Sequence, residues 1–287
     1  MSLMPAISDL CSGSKNLQER LFLGLPLDHL KHYLLNIFTA LYNTMREREE
    51  VSAEYLQSSV ELVQQCIFDY YRFMVTGQAP TTTLDQTVFD SIASQIDSKV
   101  SFTSPRSLLR EFDHPGRITL YSTHLLRGIA EKGEQYHLAL NPLTGSAEIG
   151  ETVRTFSQLL GKEVIGDIEY LRYSTKDEQH PEVTSLVDLL HLSVPRQLHE
   201  SFKKKIKGRN ILVIDDNMGR GKTLNTIKKS LAELAMRVDI TVAEIVPLAI
   251  NFEKTRLTEN DLDYPPIGLW RNQMYILEEI RNLLGGR

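Results

Sequence analysis

Residues 210–224 constrain the fold of this chain more than any other stretch. Ile211, Leu212, Val213 and Ile214 form an unbroken apolar run, the composition of a strand covered on both faces, as strands of parallel sheets are. The run ends in Asp215 and Asp216, and a turn containing Gly219 and Gly221 then opens a helix at Thr223. Such a turn offers backbone N–H groups and the positive end of a helix dipole to an anion, and the two glycines let the backbone approach it closely. The adjacent carboxylates can accept hydrogen bonds from vicinal hydroxyls. A sugar phosphate satisfies both halves. Gly221-Lys222-Thr223 invites a Walker A reading, but that pattern needs a glycine where Asp216 stands, so the spacing excludes it. The plainer alternative is a strand ending in a solvated Asp-Asp turn, which leaves the placement of the glycines and threonine unexplained.

The segments around this motif repeat its logic. After Pro115-Gly116, residues 117–121 are short and β-prone, and Ser122 can cap a helix to about Lys132. Residues 136–140 form a strand that ends in the loop 141–146, followed by a helix over 147–160 and a strand over 164–172. Beyond a polar and helical insertion (173–208) come the strand 210–214, a helix over 223–236 and a strand over 239–246. Alternating strands and helices specify an α/β fold with a doubly wound parallel sheet. Ligands of such sheets sit at the carboxyl ends of the strands, so the loops after Leu140, Arg172 and Ile214 are the candidate site.

The first hundred residues differ. Leu30, Tyr33, Leu34, Ile37, Phe38 and Leu41, then Tyr55, Val60, Val63, Ile67, Tyr70, Tyr71 and Met74, recur at helical spacing and predict two helices. Arg46–Glu50 is a charged break, Ser52 is a plausible N-cap, Gly77–Thr83 ends the pair, and a third helix follows over 84–96. Tyr33, Phe38, Tyr42, Tyr70, Tyr71 and Phe73 could make a dimer face, although core packing explains them equally well. His29 and His32 lie one turn apart without a third ligand and read as helix surface.

Composition excludes several classes of function. With 32 Lys plus Arg against 37 Asp plus Glu, the net charge of -5 supplies no general field for nucleic acid or anionic lipid. Cys11 and Cys66 are the only cysteines, too few for a disulfide framework or a multi-cysteine zinc site. No stretch reaches the length of a membrane span and the N-terminus lacks signal-peptide character, so a cytoplasmic chain with neither membrane nor nucleic acid as partner is expected.

The strand, Asp215-Asp216 and the turn through Gly221 to Thr223 resemble the phosphoribosyl diphosphate signature of the type I phosphoribosyltransferases. Arg220 stands where that signature usually has Thr or Ser. The resemblance covers about residues 116–250 and implies that Asp215 and Asp216 hold the ribose hydroxyls and a magnesium ion, through the ligand's hydroxyls or water. It further implies that Gly219, Arg220, Gly221, Lys222 and Thr223 wrap the 5-phosphate. By order, Leu143, Thr144, Gly145 and Ser146 match the family's pyrophosphate loop, and Arg172 an arginine often found after the next strand. The implied activity is transfer of a phosphoribosyl group between phosphoribosyl diphosphate, or a nucleoside monophosphate, and a nucleobase-like acceptor. In this reading residues 1–115 are a helical region, 116–250 the core and 251–287 a tail in which Tyr264 and Trp270 could stack on a base or pack on the core. A homodimer is expected. The interval 173–207, with Lys176, Arg196, Lys203, Lys204, Lys205 and Lys207, is either a cationic loop that closes over pyrophosphate or a solvated helix face. The competing overall function is a catalytically idle module that senses a sugar phosphate or nucleotide.

Overall fold

The computed structural model describes residues 17–81, 85–96, 132–143, 147–173, 182–215 and 222–242, with single positions between 118 and 130. Two long helices come first, α1 (Leu17–Glu47) and α2 (Ala53–Thr76), separated at the charged break. Ser52 caps α2 by accepting the Glu54 N–H at 3.3 Å. Gly77 ends the helix at φ 74°, donating its N–H to the Phe73 carbonyl, a left-handed conformation that costs glycine nothing. Ser52→Ala is expected to cost about 1 kcal/mol, because the first-turn N–H loses its acceptor. Urea denaturation measures this, and an unchanged midpoint would mean that water replaces the cap.

Phe38, Tyr42, Tyr70, Tyr71 and Phe73 are buried in the core, which corrects the suggestion that they form a dimer face. Only Tyr33 of the six is exposed, at 54%, and its ring packs against Phe89 of the short helix α3 (Gln86–Ser94). The strand expected at 117–121 is also corrected at its one described position, Ile118, which is helical. Ile118, Leu125, Leu126 and Ile129 are all buried, and their helical spacing overrides the β-propensity of so short a run. Ser122 is helical as well, and its hydroxyl donates to the Ile149 carbonyl at 3.3 Å.

Four parallel strands form the sheet: β1 (Tyr136–Pro142), β2 (Ile165–Leu171), β3 (Asn210–Asp215) and β4 (Arg237–Val242), in the order β2-β1-β3-β4. Helix α4 (Ala147–Leu159) links β1 to β2. Helix α5 (Leu186–Ser193), a 3-10 turn (Arg196–Leu198) and α6 (His199–Ile206) link β2 to β3, and α7 (Lys222–Leu231) links β3 to β4. The helix expected to run to 236 stops at Leu231, where residues 232–234 turn instead.

The chain moves outward from β1 to β2, then back across β1 to β3 and β4. Right-handed crossovers in opposite directions put their helices on opposite faces. The core divides accordingly. Leu212 and Ile214 of β3 pack with α1, α2 and α4, whereas Ile211 and Val213 pack with α5, α6 and α7. An unbroken apolar run is the sequence signature of a strand covered on both sides. Helix α4 is itself covered on both sides, by the sheet and by the N-terminal helices, so that even Glu148, Glu151, Thr152 and Thr155 are buried. Among the described residues no helix is long and apolar enough to cross a membrane.

Candidate functional site

The direction of the chain reverses between β1 and β3, since one leads to β2 and the other to β4. Connections leaving two neighbouring strands on opposite faces open a crevice at the strands' carboxyl ends, where open parallel sheets take their ligands. Asp215 is the last residue of β3. Leu140 pairs with Val213, so Pro142 and Asp215, each two residues further on, end level. Pro142 in turn pairs with Leu171. The Leu143 N–H donates to the Leu171 carbonyl at 2.9 Å and the Arg172 N–H to the Ser193 carbonyl at 2.8 Å. Leu143, Arg172 and Asp215 thus stand along one edge of the sheet on three adjacent strands. Lys222, exposed, and Thr223, half-buried, begin α7 just beyond β3. Asp216, Gly219, Arg220 and Gly221, with Thr144, Gly145 and Ser146, lie outside the described residues, as do Lys176, Tyr264 and Trp270.

Beneath this edge lie residues that sequence reasoning passed over. Asn141, near the end of β1, is 0% exposed; its Nδ2 donates to the Ala147 carbonyl at 3.4 Å, while Oδ1 has no partner among the described residues. The amide lies against Gly150 of α4, where an added Cβ would come within 2.1 Å of Nδ2. A glycine inside a helix is the one sequence signal of that close approach.

The first turn of α4 is tied to the N-terminal helices by an ionic cluster. Lys31 of α1, 0% exposed, donates to Glu148 and forms an ion pair with Asp28 at 2.8 Å. Its ammonium lies 4.5 Å from the Tyr70 ring centroid and 5.3 Å from that of Tyr71. The Tyr71 hydroxyl donates to Glu148 at 2.8 Å. Burial opposes the lysine charge, but Asp28 and Glu148 outweigh it and hold its pKa above the ordinary value, so Lys31 is an ammonium ion in the folded protein. Burial pushes the Tyr70 and Tyr71 hydroxyls well above theirs. His32 approaches the same Asp28, at 3.6 Å. Among the described residues no group of three or more His, Cys, Asp or Glu is arranged to hold a metal.

One turn along α4, Glu151 accepts from the Tyr170 hydroxyl and from Gln64, each at 2.6 Å, and meets Arg154 at 3.2 Å. Burial lifts its carboxyl above the ordinary value of 4.5, against the pull of these partners. The folded state therefore holds this proton more tightly than the unfolded chain. Its contribution to stability is present below about pH 4.5 and is lost as pH rises through the raised pKa. Glu151→Gln is expected to flatten that part of the profile, measured by thermal melts across about pH 4 to 7; a slope identical to wild type would show that the carboxylate is ionised at no net cost.

Residues 186–206 of the interval before β3 are largely helical, and three of its cations are engaged: Arg196 with Glu49 at 2.7 Å, Lys203 with Glu200 at 2.8 Å, and Lys205 with Glu169. For these three residues the structure fits a helix face rather than a closing loop. What remains at the strand ends is a carboxylate at β3 flanked by the N-termini of α4 and α7, an arrangement able to hold hydroxyls and anionic groups side by side. Compared with known proteins, the chain matches no family model and no curated protein sequence.

Proposed function

We propose that this chain is a type I phosphoribosyltransferase-like protein that binds phosphoribosyl diphosphate with magnesium and transfers the phosphoribosyl group to or from a nucleobase-like acceptor. The observation that carries the reading is the position of Asp215 at the end of β3, beside the end of β1, at the reversal in the strand order β2-β1-β3-β4. That position supports reading the acid pair of the resemblance as part of the crevice in which a doubly wound sheet binds ligands.

The division of labour follows from the chemistry of each element. Asp215 and Asp216 accept the ribose hydroxyls, and residues 219–223 wrap the 5-phosphate. Leu143 to Ser146 and Arg172 take the diphosphate, beside the backbone N–H groups of α4's first turn. Magnesium fits the donor set, because it is typically held through one or two carboxylates together with substrate phosphates and water; when bound it offsets charge on the leaving group. Displacement of pyrophosphate at the anomeric carbon passes through a ring with positive character, by analogy with other glycosyl transfers. Positioning and electrostatics then supply the catalysis without a protein nucleophile.

A second reading has one residue in its favour. Arg220 replaces the hydroxyl residue usual in the resembling turn, which suits a module that holds a sugar phosphate without turning it over. Calorimetric titration with phosphoribosyl diphosphate and magnesium, followed by a pyrophosphate-release screen over nucleobases, separates the two. Binding with release supports the transferase, binding without release supports the sensing module, and absence of binding overturns both.

A further inference from the structure

Helix α1 is fastened to the carboxyl edge of the sheet at two places. Toward its middle, Lys31 holds Glu148 in the first turn of α4, just after the end of β1. Further along, the Tyr42 hydroxyl lies 2.9 Å from the Tyr170 carbonyl and 3.0 Å from the Ser193 carbonyl, and Arg46 donates to the Leu192 carbonyl. The Ser193 carbonyl is the same acceptor that holds the Arg172 N–H at 2.8 Å. Tyr42 and Lys31 are both essentially inaccessible to water. A ring contact between Phe38 and Tyr170, with centroids 4.9 Å apart, fills the space between the two fastenings.

Simple packing of a helix on a sheet requires none of this polarity. Apolar side chains at positions 31, 42 and 148 would fill the same volumes without the desolvation cost of a buried ion pair. The polar fastenings converge on two backbone segments, the start of α4 and the residues around Arg172, which the proposed function assigns to the diphosphate end of the ligand. The charge balance also matters there. Glu148 sits in a first helical turn that is to receive an anion, and Lys31 neutralises it from behind; without the lysine, the uncompensated carboxylate would cancel the positive potential of the helix N-terminus and repel the anion at short range and low dielectric.

We infer that α1 is a positioning strut for the anion site, with Lys31, through Glu148, setting the first turn of α4, and Tyr42, through the Ser193 carbonyl, setting the backbone that carries Arg172. Both are positioning residues, since neither stands at the strand ends itself. The inference rests on the proposed function for the identity of the ligand, and its test separates the two claims.

Wild type, Tyr42→Phe and Lys31→Met are titrated with magnesium pyrophosphate, with phosphoribosyl diphosphate and with ribose 5-phosphate. Each variant is expected to bind the two diphosphate ligands about three- to thirtyfold more weakly, the scale of one or two lost hydrogen bonds. Ribose 5-phosphate, held by the turn after β3, keeps its affinity within about twofold. Undiminished diphosphate binding in both variants overturns the strut, and so does an equal loss for all three ligands, which marks general destabilisation. Tyr42→Phe removes a single oxygen and carries the test if Lys31→Met does not fold. Amide hydrogen exchange is read on the same proteins without ligand. Exchange at Leu143, Glu151 and Arg172 is expected to quicken about tenfold relative to residues 211–214 of β3, and a uniform change, or none, overturns the strut. A wild type that binds none of the three ligands while the variants show this local quickening removes the proposed function and leaves the strut standing.

Discussion

Replacing Asp215 and Asp216 together by asparagine is expected to abolish binding of phosphoribosyl diphosphate while leaving the fold intact. Asp215 ends a strand at an open edge and is only half-buried. Adjacent carboxylates repel one another when no ligand or cation lies between them, so removing their charge relieves that repulsion in the free protein. The ligand loses two charge-assisted acceptors for its hydroxyls, worth about 1.5 to 3 kcal/mol each, which together weaken affinity by about a hundredfold or more. At a ligand concentration about one hundred times Kd, wild type gains about 2.7 kcal/mol, a rise in Tm of about 5 to 10 °C for a chain of this size. The double variant is expected to melt at the same temperature with and without ligand. Equal ligand-induced shifts in the two proteins would remove Asp215 and Asp216 from the site.

Lys31→Met is expected to have the largest effect on stability of any single substitution considered. The methionine fills much the same volume, so the loss is electrostatic: Glu148, 4% exposed, keeps a hydroxyl donor in Tyr71 but no cation. Breaking a buried ion pair from one side costs about 3 to 5 kcal/mol, or about 6 to 20 °C in Tm. Adding Glu148→Met is expected to restore at least half of that loss, because an apolar pair avoids desolvation altogether and Asp28, the remaining acid, lies nearer the surface. Urea denaturation of wild type, both single variants and the double variant gives the coupling directly. A cost below about 1 kcal/mol for Lys31→Met would show that water reaches the cluster.

How much of this was legible in the sequence depended on whether the signal was local. The strands of the sheet were readable because Ile211 to Ile214 carry their burial in four consecutive residues. The helical spacing of apolar residues announced the first two helices, and Ser52 with the break at residues 46–50 marked the boundary between them through capping chemistry. The placement of Asp215 at a carboxyl strand end followed from fold class, whereas its position beside the end of β1 came only with the strand order, which no local stretch of sequence encodes. The stretch from 117 to 121 misled because five residues hold too little pattern, and only the longer spacing through Ile129 reveals the helix. Lys31 was illegible for a different reason. A lysine between two histidines on a helix reads as surface, and its partner Glu148 lies 117 residues away. Likewise, nothing local distinguishes the buried acids of α4 from a solvated face, because the helices that bury them come from a different part of the chain.

The long span between Lys31 and Glu148 also orders events during synthesis. Helices α1 and α2 leave the ribosome before α4, yet the aspartate one turn from Lys31 can satisfy it only in part; the acid that completes the cluster lies in α4, the first helix after β1. Until α4 is made, the nascent helical pair carries a cationic lysine in its apolar seam, which favours an open, hydrated arrangement over tight collapse. Docking of α4 supplies the counter-charge, and the early helices close at the moment the parallel sheet begins to form. The N-terminal segment is thus timed by its partner to fold with the body of the protein, and a ribosome-bound chain ending before residue 147 is expected to remain sensitive to protease throughout both helices.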